Sequence, residues 1–283
     1  MVTLAGLRRY PVKSCRGTDL DRAVVERAGL AGDRRWMLVD DDGGMVTARA
    51  HPRLLLAVPA LRADGLDVTG PGLPPLSVRI PDGDPVPVRV HRSDTAGVPA
   101  SDEAHAWFSE LLGEKVRLVH LDDPGHRRPD PGFSAPDDRV GFADGYPLLL
   151  TSAASLDAVN ELVAAGSHAH EGPLPMTRFR PNVVVDGAPA WAEDGWRRIR
   201  IGDAAFRVAK GCARCVLTTA DPETAVKGRE PMATLARHRR FGSGVWFGVN
   251  LIPDDPGAGI ALGDRVEILE AADPAAGPPR RAL

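Results

Sequence analysis

The stretch Lys210-Gly-Cys-Ala-Arg-Cys-Val-Leu-Thr-Thr-Ala-Asp-Pro222 gathers two thiols, two cations and a pair of threonines into thirteen residues. A Cys-x-x-Cys pair serves as a redox dithiol, as half of a zinc site, as a nucleophile or as a ligand for a soft transition metal, and the spacing alone does not choose. Structural zinc wants two further ligands at suitable spacing, but Cys15 is far away in the chain and His238 is the only near histidine. A thioredoxin-like dithiol follows a strand and opens a helix, whereas Val216-Leu-Thr-Thr219 reads as a β-prone run. Two inert packed thiols are a further reading, because free cysteine is among the most buried residue types. What distinguishes the pair is its company: Arg214 between the thiols and Lys210 before them suit an anionic sulfur that ligates a metal.

Residues 197–201 and 205–209 read as paired strands joined at Gly202-Asp203, which deliver the chain to this segment. After it come a short helix over 231–239 with Pro231 in its first turn, strands over 245–252 and 263–269, and a Pro- and Ala-rich tail expected to fray. Before it, residues 146–152 form an apolar strand that runs into the hydroxyls of Thr151 and Ser152. A helix over 155–165 follows, with Leu156, Val159, Leu162 and Val163 on one face.

The first eighty residues show no helical period. They carry β-rich runs, LLLAVPAL among them, and the clearest hairpin, residues 36–40 and 45–49 around Asp-Asp-Gly-Gly. Ser101 is predicted to cap a helix that ends at Gly113, with Ala104, Phe108, Leu111 and Leu112 facing inward. Residues 116–121 add a strand, and 122–141, with four prolines, read as a linker. The expected class is mainly β with some helix (α+β). Its division is a β-rich N-terminal domain over 1–121, a linker over 122–141, a second domain over 142–272 and a flexible tail over 273–283.

Composition narrows the function. Thirty-five basic residues against 38 acidic ones give a net charge of −3, so the molecule as a whole has no attraction for nucleic acid or anionic lipid. There is no apolar run of membrane-spanning length, and the Arg8-Arg9 pair follows the short apolar start, the reverse of a signal peptide. Three cysteines are too few, and odd in number, for a disulfide framework. The expectation is a cytoplasmic protein in a reducing environment. Against this acidic balance stand short polar runs able to receive an anion: Lys13-Ser14, Arg34-Arg35, Thr151-Ser152 and Arg180-Pro-Asn182.

Taken together, Tyr10-Pro-Val-Lys-Ser-Cys15, Gly32-Asp-Arg-Arg-Trp36, Phe179-Arg-Pro-Asn182 and Cys212-Ala-Arg-Cys-Val-Leu-Thr-Thr-Ala-Asp-Pro222 resemble the MOSC-domain proteins that carry an N-terminal MOSC β-barrel domain. That group includes the mitochondrial amidoxime-reducing components, their bacterial relatives and the C-terminal domain of molybdenum cofactor sulfurases. The resemblance spans residues 1–269 in order. It implies a β-rich N-terminal domain packed on a β-barrel MOSC domain, with molybdenum cofactor (Mo-molybdopterin) between them. It also implies a metal bound by the cofactor's dithiolene and by one protein thiolate, Cys215. By the same resemblance Lys13, Ser14, Arg34, Thr151, Ser152, Arg180, Asn182, Ala213 and Arg214 contact the cofactor. Asn250 stands near Phe247-Gly248, where the amidoxime-reducing proteins have a Tyr.

The activity so implied is reduction of small N-hydroxylated compounds: amidoximes, hydroxylamines and N-hydroxylated bases. Asp221 is the candidate proton donor, although an Asp before Pro also serves as a turn former. No cysteine follows Cys215, so no iron–sulfur cluster is expected in the C-terminal region, and an external ferredoxin-, flavodoxin- or cytochrome-type donor is implied. The alternatives are a carrier of molybdenum cofactor or sulfur related to the sulfurase C-terminal domain, and a metal-free β-protein. The chain is too short for the aminotransferase-like domain of a complete sulfurase.

Overall fold

Strand Thr3–Arg9 lies antiparallel to Val183–Asp186, with Thr3 opposite Asp186 and Leu7 opposite Val183. The opening residues are thus built into the sheet of the second domain. That sheet continues through Leu148–Ser152, Gly244–Pro253, Ala204–Ala213 and Trp196–Ile201 to Val266–Ala271. Thr3 bridges Arg265, the Val266 N–H donates to the Val2 carbonyl at 2.9 Å, and the sheet closes on itself as a barrel. Its interior is packed with Leu4, Leu150, Val183, Ile199, Phe206 and Leu251, none more than 1% exposed. Closure removes the sheet edges that would otherwise be left unpaired. The computed structural model describes residues 1–279.

The only parallel pair in this sheet among the described residues, Leu148–Ser152 with Val183–Asp186, needs a crossover. Helix Ala153–Ala164 begins it and packs Val159 and Val163 inward. Among the described residues there are two other α-helices, Asp102–Leu112 and Met232–His238. The first behaves as its sequence predicts: the Ser101 hydroxyl accepts from the Ala104 N–H, and Gly113 closes it at φ 74°. It covers the N-terminal body, where a five-stranded and a three-stranded sheet enclose Trp36, Leu54, Leu66 and Phe108. The hairpin forms with Leu38 opposite Val46, and the Asp40 side chain accepts the Asp42 and Gly44 N–H groups in its loop.

Several local expectations need correction. In LLLAVPAL, Pro52–Leu56 is a 3-10 turn with proline at its start, and the strand is confined to Val58–Arg62. Val216–Thr219 is likewise a 3-10 turn. Its Thr218 and Thr219 hydroxyls donate back to the carbonyls of Cys215 and Val216, a local bonding that competes with sheet pairing. The segment 122–141 is irregular but firmly held, since buried Arg127 donates to the carbonyls of Gly141, Ala143 and Asp144. Residues 273–279 of the expected tail lie against the barrel: Gly277 and Pro278 are buried, and the Gly211 N–H donates to the Pro279 carbonyl at 2.8 Å. Its last residues, 280–283, lie outside the described residues.

Candidate cofactor site

Turns and strand ends from distant parts of the chain converge on a cavity of about 180 Å³. Lys13, Ser14, Arg34, Arg180, Asn182, Ala213, Arg214, Cys215 and Asn250 all line it, as does Cys212. Three of these residues pay for their placement in backbone strain. Ser14, Arg34 and Arg180 have φ of 71°, 46° and 57°, a region that long side chains rarely enter and that clusters at functional sites. Asn182 ties the barrel to the first turn: its Oδ1 accepts from Arg34 Nη1 at 2.9 Å and from the Leu149 N–H, while its Nδ2 donates to the Arg8 carbonyl. Asn250 Nδ2 donates to the Gly211 carbonyl at 3.1 Å.

Charge is the cavity's dominant property. Lys13, Arg34, Arg49, Arg178, Arg180 and Arg214 face it, against one carboxylate, Asp144. Asp144 pairs with Lys13 at 2.5 Å, with His91 at 3.2 Å and with Arg49. Burial works against its charge, but Lys13, His91 and Arg49 hold it well below the usual carboxylate range. Asp33 behind the wall takes Arg34, and Asp221 takes Arg178. Burial pushes the Lys13 ammonium down to about 8 despite Asp144. It pushes Arg180 down to about 10, with the like charge of Arg34 adding to the effect. The Arg180 and Arg34 guanidiniums lie 4.3 and 4.6 Å from the Tyr10 ring centroid. Arg180 Nη2 and Arg214 Nε are buried without a hydrogen-bond partner. Such groups are costly unless an anion meets them.

The two thiols are held differently. Cys215 Sγ receives Arg49 Nε at 3.4 Å, whereas Cys212 Sγ receives Arg214 Nη1 at 2.8 Å. The 3-10 turn after Cys215 removes the sequence-based objection to a dithiol, but the backbone supplies another. Ala213 pairs with Trp246, the Arg214 N–H donates to the Val245 carbonyl, and Cys215 has φ −132° and ψ 176°. Chain this extended sets residues three apart about 10 Å from one another at Cα. A disulfide needs less than about 7 Å. Among the described residues no three His, Cys, Asp or Glu side chains cluster as a metal site. The arrangement therefore provides no metal site from protein groups alone; two thiols line the cavity, and any metal there would need further ligands from a bound cofactor.

Three expected site residues lie elsewhere. Thr151 and Ser152 are fully buried, Thr151 donating to the Met176 sulfur at 3.2 Å. Their strand runs straight into a helix, which turns both hydroxyls into the interior, and the wall is formed instead by Ala143, Asp144, Gly145 and Tyr146 just upstream. Asp221 does not line the cavity. Its Oδ1 accepts from the N–H groups of Glu223 and Thr224, and its Oδ2 from Arg178. Partial burial opposes its charge, but these donors hold its pKa low, so it is a turn former and a poor proton donor. Arg49, Asp144 and Arg178 were missed because each sits in or beside a turn with no motif of its own. The one available signal was Arg178, adjacent to Phe179-Arg-Pro-Asn182.

A barrel and a β-rich partner body sharing a cation-lined cavity, with two cysteines in its wall, define a two-domain protein suited to an anionic ligand. Residues 1–115 match the MOSC N-terminal beta barrel domain and residues 137–267 match the MOSC domain, and the chain belongs to the MOSC family. It is 33% identical over 291 residues to mitochondrial amidoxime-reducing component 1 of Homo sapiens, covering 94% of this chain and 83% of that one. The mouse protein of the same name is 33% identical over 287 residues, covering 94% and 82%. Human mitochondrial amidoxime reducing component 2 is 34% identical over 251 residues, covering 84% and 72%.

Proposed function

We propose that this protein is a molybdenum cofactor-dependent reductase of small N-hydroxylated compounds: amidoximes, hydroxylamines and N-hydroxylated bases. The observation that carries the reading is the uncompensated positive charge of the cavity beside the thiols in its wall, with Arg180 Nη2 buried and unpartnered. These residues fit the group. Cys215 would ligate the metal, and Lys13, Ser14, Arg34, Arg180, Asn182, Ala213 and Arg214 would hold the anionic pterin. When bound, the cofactor supplies the redox chemistry of N–OH reduction.

The protein's own residues bind and orient. Arg49, braced by Asp144, directs Nε at the Cys215 sulfur. Within the cavity Lys13 Nζ and Asp144 form the acid–base pair, and because Asp144 stays ionised, the proton is held at Lys13 Nζ. Converting N–OH to N–H with loss of water consumes two electrons and two protons. Three cysteines in all are too few for a four-cysteine cluster, so the electrons are assigned to an external ferredoxin-, flavodoxin- or cytochrome-type protein. All three cysteines are free, which suits the cytoplasm. No helix among the described residues is long and apolar enough to cross a membrane.

The test is reconstitution with molybdenum cofactor followed by assay of benzamidoxime with a chemical reductant. Benzamidine formation in proportion to bound molybdenum is expected. Stoichiometric metal without turnover would rule out the reductase and leave the cofactor- or sulfur-carrier reading.

A further inference from the structure

The match to the MOSC domain ends at residue 267, yet the chain continues and comes back to Gly211, on the strand that leads to the cavity. Past Val266–Ala271, the Ala272 N–H donates to the Gly195 carbonyl at 2.7 Å. Gly195 admits this approach only because it has no side chain; a Cβ there would lie 2.5 Å from the Ala272 oxygen. A 3-10 turn, Pro274–Ala276, is capped by Asp273, and the chain then reverses at Gly277 with φ 76° and ψ −179°. That conformation is essentially reserved for glycine. The reversal lays Pro278 on Gly211, where an added Cβ would meet the proline Cβ at 2.5 Å, and the Gly211 N–H donates to the Pro279 carbonyl at 2.8 Å.

Gly211 immediately precedes Cys212, at a weak point of the barrel. The pairing of Ala204–Ala213 with Gly244–Pro253 slips in register between Gly211 and Ala213. A slip of this kind leaves backbone groups without ladder partners, and a buried N–H must then find another acceptor. The tail supplies that acceptor from one side. From the other, Asn250, which lines the cavity, donates to the Gly211 carbonyl.

We propose that residues 273–279 form a strap that positions the cysteine-bearing strand end, 211–215, for metal ligation. The strap touches no cavity group directly. It acts through the Gly211 peptide, and its functional consequence rests on the cofactor reading above.

Two variants of the full protein test this: Gly277→Val, which cannot adopt the reversal, and a chain ending at Ala272. Amide hydrogen exchange of peptides spanning 210–216 and molybdenum retained after dialysis of reconstituted protein are read together. Loss of the strap is expected to speed exchange at 210–216 roughly tenfold, the effect of about one lost hydrogen bond, and to lower metal retention several-fold, while helix Asp102–Leu112 keeps its protection. Folded variants with unchanged exchange at 210–216 would overturn the proposal. So would exchange that rises equally everywhere, which would make the tail a general stabiliser. Faster local exchange in a protein that binds no molybdenum in any form would uphold the strap and remove the cofactor reading instead.

Discussion

Two regions of the molecule bury charge, and they balance it differently. Under the 3-10 turn Ala192–Gly195, the Arg239 guanidinium pairs with Asp194, side chains 8% and 1% exposed, while Glu193 accepts from the Ser155 hydroxyl at 2.9 Å. One cation faces two acids there, and burial lifts Glu193 to about 7, so a proton restores neutrality. The cavity has no such resolution. Its six cations meet Asp144 in front and Asp33 and Asp221 behind, which leaves positive charge over and Arg180 Nη2 without a partner. A cluster that neutralises itself stabilises a fold, and one that stays charged awaits a ligand.

Substitutions should separate the two. Arg239→Met takes the paired cation away from the buried Asp194 carboxylate and is expected to cost about 3–5 kcal/mol of unfolding free energy in denaturant melts. Arg180→Met removes a buried, under-satisfied guanidinium, so apoprotein stability should be nearly unchanged while cofactor affinity falls roughly tenfold to a hundredfold, the loss of a charge-assisted contact or two. Equal stability losses for both variants would break the distinction. The smallest effect concerns pH. Glu193 is raised from 4.5 to about 7 in the folded protein, so its penalty is absent below about 4.5, grows as pH rises and is complete above about 7. Glu193→Gln should remove that dependence, a difference of about 2 kcal/mol between melts at pH 5 and pH 8. Parallel pH profiles for both proteins would show that the carboxyl is neutralised by other means.

Much of this was legible in the chain because it is encoded locally. The Ser101 cap, the Gly113 stop and the Asp40 hairpin loop each depend on a few adjacent residues. Lys13, Ser14, Arg34, Arg180, Asn182 and Cys212 to Cys215 line one cavity, whereas Asp221 of the same motifs does not. What was hidden depends on distance in sequence. Nothing near Thr3 announces a partner at Asp186, so the first strand's membership of the second barrel was invisible. Thr151 and Ser152 look like an open strand end in sequence, and only the helix that follows without a loop turns them inward. Asp144 has no periodicity to mark it, and its role comes from Lys13, Arg49 and His91 arriving from the other body.

On the function proposed above, Cys215 is the one protein ligand to a cofactor metal in the cavity. Molybdenum content per protein, measured after reconstitution alongside the fluorescence of oxidised pterin released by acid, tests it directly in Cys215→Ser and Cys212→Ser. The expected result is metal lost in the first and kept near wild-type level in the second. Loss in both variants, or in neither, would contradict it.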